Sequence, residues 1–170
     1  MSAPTPRHHA GPLAGGRLKW DRMPTPFESA QLNLKLFELR REPVLRQARN
    51  WFLLEFHPDS FADMMAQAIG EHNTWFRMVI GYWDMAASLV TTGAIDAGAF
   101  LAAHGEIIGT FCKIQPYLAE LRASRGETAI CRHMEAVVMA APDAQATLDR
   151  RRQALRSLYE RQKANAQSAG

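Results

Sequence analysis

The sequence predicts an all-α protein, a helical bundle of five to seven helices around one central apolar helix at about residues 71–92. Three observations support this fold class. The segment Trp75–Val90 is apolar around nearly its whole circumference at about 100° per residue, and such a helix must be covered by other helices. Helix start and stop signals recur along the chain. Strand-like alternation, hairpin dipeptides and internal repeats are not found.

The first predicted helix begins with a strong start signal. Thr25 can cap the helix, Pro26 suits its first position, and Glu28 completes a capping box. The helix is expected to extend to about Arg41. Two apolar seams predict a neighbour on each side of it, and they consist of Phe27, Leu34 and Phe37 and of Leu32, Leu36 and Leu39.

Proline and glycine residues and the predicted caps Ser60 and Asp96 set the boundaries of the remaining elements. Pro116 bends or restarts a helix, and the last helix has few apolar positions, so it should pack peripherally and fray after about Lys163. The expected helical segments after the first are 43–57, 60–70, 71–92, 96–103, 105–115, 116–126, 128–141 and 143–163. The predicted organisation is a disordered basic leader over 1–24, one helical domain over 25–164 and a disordered tail over 165–170.

Composition is that of a single globular domain, with 47% hydrophobic and 22% charged residues in 170 positions. Arg77 and Asp84 interrupt the best candidate for a membrane span, and the N-terminal segment has no apolar core typical of a secretion signal. Cys112 and Cys131 lie in apolar helical contexts and are expected to be buried, reduced thiols. These observations favour a cytoplasmic protein.

The formal net charge of +3 is unevenly distributed. Residues 1–22 carry four basic side chains against one acidic, and residues 150–170 carry six against one, so the part between them is acidic. The basic ends could dock on the protein's own acidic body or remain solvated; alternatively they could bind nucleic acid or an acidic partner. The candidate nucleic-acid contacts are Arg150, Arg151, Arg152 and Arg156.

Motifs that would identify an enzyme are missing: we find no phosphate-binding glycine loop, no metalloprotease or redox motif, and no Glu-x-x-His pair typical of di-iron bundles. A cofactor and a metal are therefore not expected, and the sequence contains no catalytic signature. The strongest metal-ligand candidates cannot converge on one ion without a bend, because their helical positions separate them, and they are His104, Cys112, Cys131 and His133.

Several charged residues fall in apolar helical contexts, where a carboxylate must find a partner or become protonated. If they converge, they form either an internal ion-pair network or a small polar pocket, with Arg49 and Lys113 as further counter-charges. The simpler interpretation of Arg77 and Asp84 is the solvent edge of the central helix. The candidate ligand-binding cluster consists of Glu55, Arg77, Asp84 and Glu106.

A series of short motifs resembles a family of small bacterial all-helical proteins, a domain of unknown function. The motifs lie between about Leu32 and Val138, and they are Leu36-Phe37-Glu38-Leu39, Pro43 with Arg46–Trp51, Tyr82-Trp83-Asp84, Gly93–Asp96, Pro116-Tyr117 and Arg122. The resemblance implies an all-helical bacterial protein and assigns no site residues.

The function that these observations favour is a non-catalytic interaction or scaffold module whose partner is unknown, with self-association as one form. Two alternatives remain open: a small-ligand binder or minor enzyme that uses the buried polar cluster, and a protein that binds nucleic acid through its basic ends.

Overall fold

The computed structural model describes residues 24–168, and within them the chain is helical with no strand. The all-α fold class is confirmed. The nine α-helices described outnumber the five to seven expected for the bundle, and they correspond to the nine helical segments marked by the proline, glycine and capping signals; a 3-10 turn at Gln115–Tyr117 separates two of them. The helices are α1 Pro26–Leu39, α2 Pro43–Leu54, α3 Phe61–Ile69, α4 Asn73–Thr91, α5 Ala97–Ala103, α6 Glu106–Ile114, α7 Leu118–Arg125, α8 Arg132–Val138 and α9 Ala144–Ser168. The predicted leader falls outside the described residues, apart from Pro24.

The apolar helix α4 lies at the centre of the bundle, as its sequence predicts. It contacts α2, α3, α6 and α8. Trp83 is fully buried, as are Ala86 and Ala87 one turn further along. Arg77 and Gly81 face solvent, so the polar stripe of α4 is partly its solvent edge. No helix in residues 24–168 is both long and apolar enough to span a bilayer.

Local start signals are confirmed at three helices. The Thr25 hydroxyl accepts from the N–H of Glu28, whose carboxylate accepts from the N–H of Thr25. Ser60 caps α3 and Asp96 caps α5, each by accepting a backbone N–H three residues ahead. Such caps supply partners for amide groups that a helix cannot satisfy itself.

The start of α8 differs from the prediction. The sequence predicts a helix from about Thr128, but regular helix begins only at Arg132. Cys131 occupies the left-handed region with φ +56°, which interrupts any helix at that position. The carboxylate of Asp84, on α4, caps the shortened helix from outside, and such a tertiary contact leaves no local sequence signal.

The last helix also differs in length. α9 continues to Ser168 rather than fraying after Lys163, so the expected tail of 165–170 is helical as far as it is described. An ion pair between Arg156 and Glu160 one turn apart supports the helix where it has few apolar contacts. Its inner face packs on α6 and α2, and Leu148 is fully buried.

Helix α1 lies on the outside of the bundle. Its inner seam is held by Leu36, which is buried, and by the Tyr82 hydroxyl, which donates to the Leu36 carbonyl at 2.7 Å. The other seam, formed by Phe27, Leu34 and Phe37, was expected to meet a second neighbour, but it is exposed among the described residues. The prediction that α1 lies between two neighbours is therefore fulfilled on one side only.

Candidate functional site

Glu106, at the first turn of α6, is held by Arg49 of α2. The Arg49 guanidinium is bidentate on the carboxylate, with Nε 2.6 Å from Oε1, and it also donates to the Arg40 carbonyl at the end of α1 at 2.9 Å. Both side chains are about one-sixth exposed. Bidentate pairs of this kind are strong and geometrically specific, so Arg49 and Glu106 join α1, α2 and α6.

Asp84 has a structural role at the beginning of α8. Its Oδ1 accepts the backbone N–H groups of His133 and Met134, at 3.0 and 2.9 Å. These amides have no partner within their own short helix, and a negative charge is favoured at a helix N-terminus. Asp84, a residue of α4, therefore caps the N-terminus of α8.

Glu55 and Arg77 lie elsewhere. Glu55 follows α2 and is exposed at a small cleft beside Trp51 and Tyr159. Arg77 is exposed on the other side of α4, at a cleft formed with α3 and α7. Glu55 and Arg77 line different clefts. The carboxylates of Asp84 and Glu106 also have separate partners, on α8 and α2. Glu55, Arg77, Asp84 and Glu106 thus do not form one polar pocket, because each helix presents its polar residue to a different neighbour.

Three of the four arginines proposed for nucleic-acid binding are engaged within the protein. Arg152 donates to the Cys112 carbonyl at 2.8 Å and pairs with Asp149. Arg156 pairs with Asp59, and Arg150 contacts Asp143. Arg151 is exposed. Asp143 and Asp149 belong to α9 or directly precede it, so the contacts that join this basic helix to the rest of the domain are those of Arg156 with Asp59 and with the His57 carbonyl and of Arg152 with the Cys112 carbonyl.

Lys113, which the sequence suggested only as a counter-charge, is the most completely buried charged group described. Its Nζ donates to the carbonyls of Phe52, Leu53 and Phe56, each at 2.8 Å, where α2 ends. Burial lowers the pKa of Lys113 to about 7. The three carbonyls and the negative end of α2 oppose that shift by stabilising the ammonium form.

His57 lies 3.1 Å from the Lys113 amine and stacks on the Tyr159 ring of α9. Burial and the adjacent Lys113 charge lower the pKa of His57 to about 4, so the imidazole is neutral at pH 7. Arg156 donates to the His57 carbonyl. A cleft of about 520 Å³ opens here, but its cations already have protein partners, and its chemistry is that of a seam fastening α9 to α2 and α6.

The cysteines are free and buried, as expected. Burial raises the pKa of Cys112 to about 11 and that of Cys131 to about 12, so both remain protonated at neutral pH. His104 contacts Asn33 of α1, and His133 contacts Thr91 at the end of α4, so the two histidines have different partners. Residues 24–168 contain no group of three His, Cys, Asp or Glu side chains placed to hold a metal ion.

Helix α1 has an exposed apolar stripe, which we call the outer stripe, formed by Phe27, Ala30, Leu34 and Phe37. Phe27 is 70% exposed, Leu34 64% and Phe37 45%. At about 100° per residue the four positions fall within roughly 80° of the helix circumference. The nearby Lys35 and Glu38 pair with each other at 3.2 Å, and the Arg40 guanidinium lies 5.3 Å from the Phe37 ring at one end of the stripe. Large exposed apolar patches mark interaction sites.

Comparison with known proteins adds the family. No curated protein and no solved structure matches the chain. The family profile of the domain of unknown function DUF4760 matches residues 26–140, from the first residue of α1 to just beyond α8. α9 lies outside that match. The chain therefore belongs to the DUF4760 family, a domain of unknown function.

Proposed function

We propose that the protein is a non-catalytic interaction module that self-associates through the outer stripe of α1. The observation that carries the proposal is the exposure of Phe27, Leu34 and Phe37 on one face of a helix whose other face is fixed to the bundle. Sequence patterning of α1 calls for two neighbours, and a second copy of α1 supplies the missing one. The two buried, free thiols support a cytoplasmic location.

The outer stripe is self-complementary in an antiparallel pairing. If two α1 helices cross near residue 32, Phe27 of one copy meets Phe37 of its partner, and Ala30 meets Leu34. Aromatic side chains then pack on aromatic ones, and the large leucine fills the space over the small alanine. A two-fold axis repeats both contacts, as isologous dimers require.

The expected affinity is modest. The exposed fractions of Phe27, Leu34 and Phe37 add up to slightly less than two fully exposed side chains per protomer. Complete burial of one fully exposed side chain of this size is worth about 1.5–3 kcal/mol. Two protomers therefore gain roughly 5–11 kcal/mol, against an association cost of about 4 kcal/mol or more. The net gain is at most about 7 kcal/mol, so we expect a dissociation constant of about 10 μM or weaker.

The intramolecular contacts of Arg150, Arg152 and Arg156 favour this function over nucleic-acid binding through α9. Those guanidiniums would have to leave carboxylates and carbonyls of their own domain before contacting phosphates. The outer stripe needs no such rearrangement.

Sedimentation velocity of the full chain over a range of concentrations tests the proposal. Wild type should increase in mass with concentration, and Leu34→Asp should remain monomeric. Ile69→Asp is the matched control, because Ile69 is 60% exposed but lies on α3, and it should behave as wild type. A wild type that stays monomeric, or an equal mass for wild type and Leu34→Asp, would overturn the proposal.

The antiparallel register has its own test. Mixing Ala30→Cys with Leu34→Cys should give a disulfide-linked heterodimer under mild oxidation, whereas mixing Ala30→Cys with Ile69→Cys should not. The native thiols do not interfere, because both are buried.

A further inference from the structure

A second cleft, of about 380 Å³, lies between α3, α4, α7 and the segment before α8. Its volume is within the range of small-molecule pockets, about 300–1,000 Å³. Most of the side chains that line its interior are apolar: Met65, Phe76, Ile80, Ile114, Leu121 and Ile130. Cys131, whose left-handed backbone interrupts the approach to α8, also borders it. Non-glycine residues held in that conformation cluster at functional sites.

The polar groups of the cleft are mainly at its rim. Arg77 of α4, Arg125 of α7 and Glu127 are all exposed there. Within residues 24–168 neither guanidinium has a hydrogen bond or an ion pair, unlike Arg49, which is bound to protein acceptors. The rim therefore has a net charge of +1 with two arginines able to accept an anion. Bidentate binding of carboxylates is the arrangement that the guanidinium favours.

The start of α4 adds to this preference. Asn73, the first residue of α4, lines the cleft, and its helix begins without a side-chain cap. The positive end of a long helix favours negative charge within its first turn. The apolar interior therefore suits the hydrocarbon part of a ligand, and the cationic rim suits a negatively charged group on the same ligand.

We propose that this cleft binds a free medium-chain carboxylate, with the alkyl chain among Phe76, Ile80 and Ile130 and the carboxylate at Arg77 and Arg125. The interior supplies the affinity through burial of methylene groups. The arginines distinguish a carboxylate from an uncharged molecule of the same length. This site is independent of the outer stripe on α1.

Isothermal titration calorimetry with hexanoate, octanoate and decanoate, all below micelle formation, tests the apolar part. Each added methylene should tighten binding about fourfold until the cleft is filled. The experiment is done in the Leu34→Asp background, so that a ligand attracted to the outer stripe does not contribute. Failure of the carboxylates to bind would overturn this proposal without affecting the one on self-association.

The charged part is tested by comparing decanoate with 1-decanol. Arg77→Gln and Arg125→Gln should each weaken decanoate binding about fivefold and leave 1-decanol unchanged. Glu127→Gln should tighten decanoate binding, because it removes the only negative charge at the rim. Arg132→Gln is the control, since Arg132 is exposed but contacts His133 instead of lining the cleft. Equal binding of decanoate and 1-decanol, or an effect of Arg132→Gln as large as that of Arg77→Gln, would refute the carboxylate assignment.

Discussion

Replacing Lys113 with methionine tests the most consequential buried contact of the bundle. Methionine keeps a chain of similar length but removes the donor shared by the carbonyls of Phe52, Leu53 and Phe56. Each buried acceptor left without a partner costs about 1–3 kcal/mol. The cost for Leu53 is smaller because its contact is only partly buried. Removing a buried charge returns part of the total, so we expect Lys113→Met to lower the free energy of unfolding by about 3–5 kcal/mol.

Equilibrium urea unfolding at pH 7, followed by tryptophan fluorescence, measures that loss. Lys163→Met is the control, because Lys163 is exposed on α9 and its replacement should change the free energy of unfolding by less than about 0.5 kcal/mol. The expected loss is a large fraction of the roughly 5–15 kcal/mol that stabilises a typical domain. A difference below about 1 kcal/mol between the two variants would show that the carbonyls at the end of α2 do not depend on Lys113, and would refute the reasoning.

The lowered pKa of Lys113 also predicts that the free energy of unfolding depends on pH. The pKa of Lys113 falls to about 7 in the folded protein from 10.5, so above pH 7 the unfolded chain binds a proton that the folded chain has released. The free energy of unfolding of wild type should therefore rise with pH, by up to about 1.4 kcal/mol per pH unit. Between pH 7 and 8, before the thiols of the unfolded chain titrate appreciably, this rise should be present in wild type and missing in Lys113→Met. Parallel curves would contradict it.

Three further outcomes are expected. Asp84→Ala should lower the free energy of unfolding by about 1–2 kcal/mol, because two backbone amides at the start of α8 lose their acceptor, whereas Ala at the exposed Glu120 should have little effect in the same urea titration. Glu106→Gln should cost about 2 kcal/mol in that assay by breaking the charge-assisted pair with α2; a neutral result would mean that the pair only breaks even. Cys112 and Cys131 should react with a thiol reagent at the rate of unfolding, since burial keeps them protonated and covered; rapid labelling of the native protein would contradict this.

The features that the sequence predicts well are those whose cause is local. Thr25 with Glu28, Ser60 and Asp96 each lie within one turn of the amides they cap, so a window of four residues contains the whole signal. The central position of α4 was also predictable, since a helix that is apolar around nearly its whole circumference must be covered by other helices. These elements define the all-α fold without knowledge of any tertiary contact.

The polar sites could not be found in this way, because their partners are distant in sequence. Lys113 and the carbonyl of Phe52 are 61 positions apart, and Arg49 and Glu106 are 57 apart. Helix α2 ends at Leu54, earlier than the expected boundary at His57. Its last carbonyls are therefore free to accept hydrogen bonds from Lys113. A charged residue in an apolar helix therefore predicts that a partner exists, but the sequence does not identify that partner.

The buried charges of this bundle nevertheless follow one rule, which explains why they do not converge on a pocket. The anion Asp84 lies at the beginning of α8, where unpaired N–H groups concentrate positive partial charge. The cations Lys113 and Arg49 lie at the ends of α2 and α1, where unpaired carbonyls concentrate negative partial charge. Each sign matches the helix end that it faces. In a fold of short helices the number of such ends is high, so charged side chains inside it are distributed among them. Arg77 differs from these charges, because it lines an apolar cleft and has no hydrogen bond or ion pair within residues 24–168, so it is available to bind a ligand.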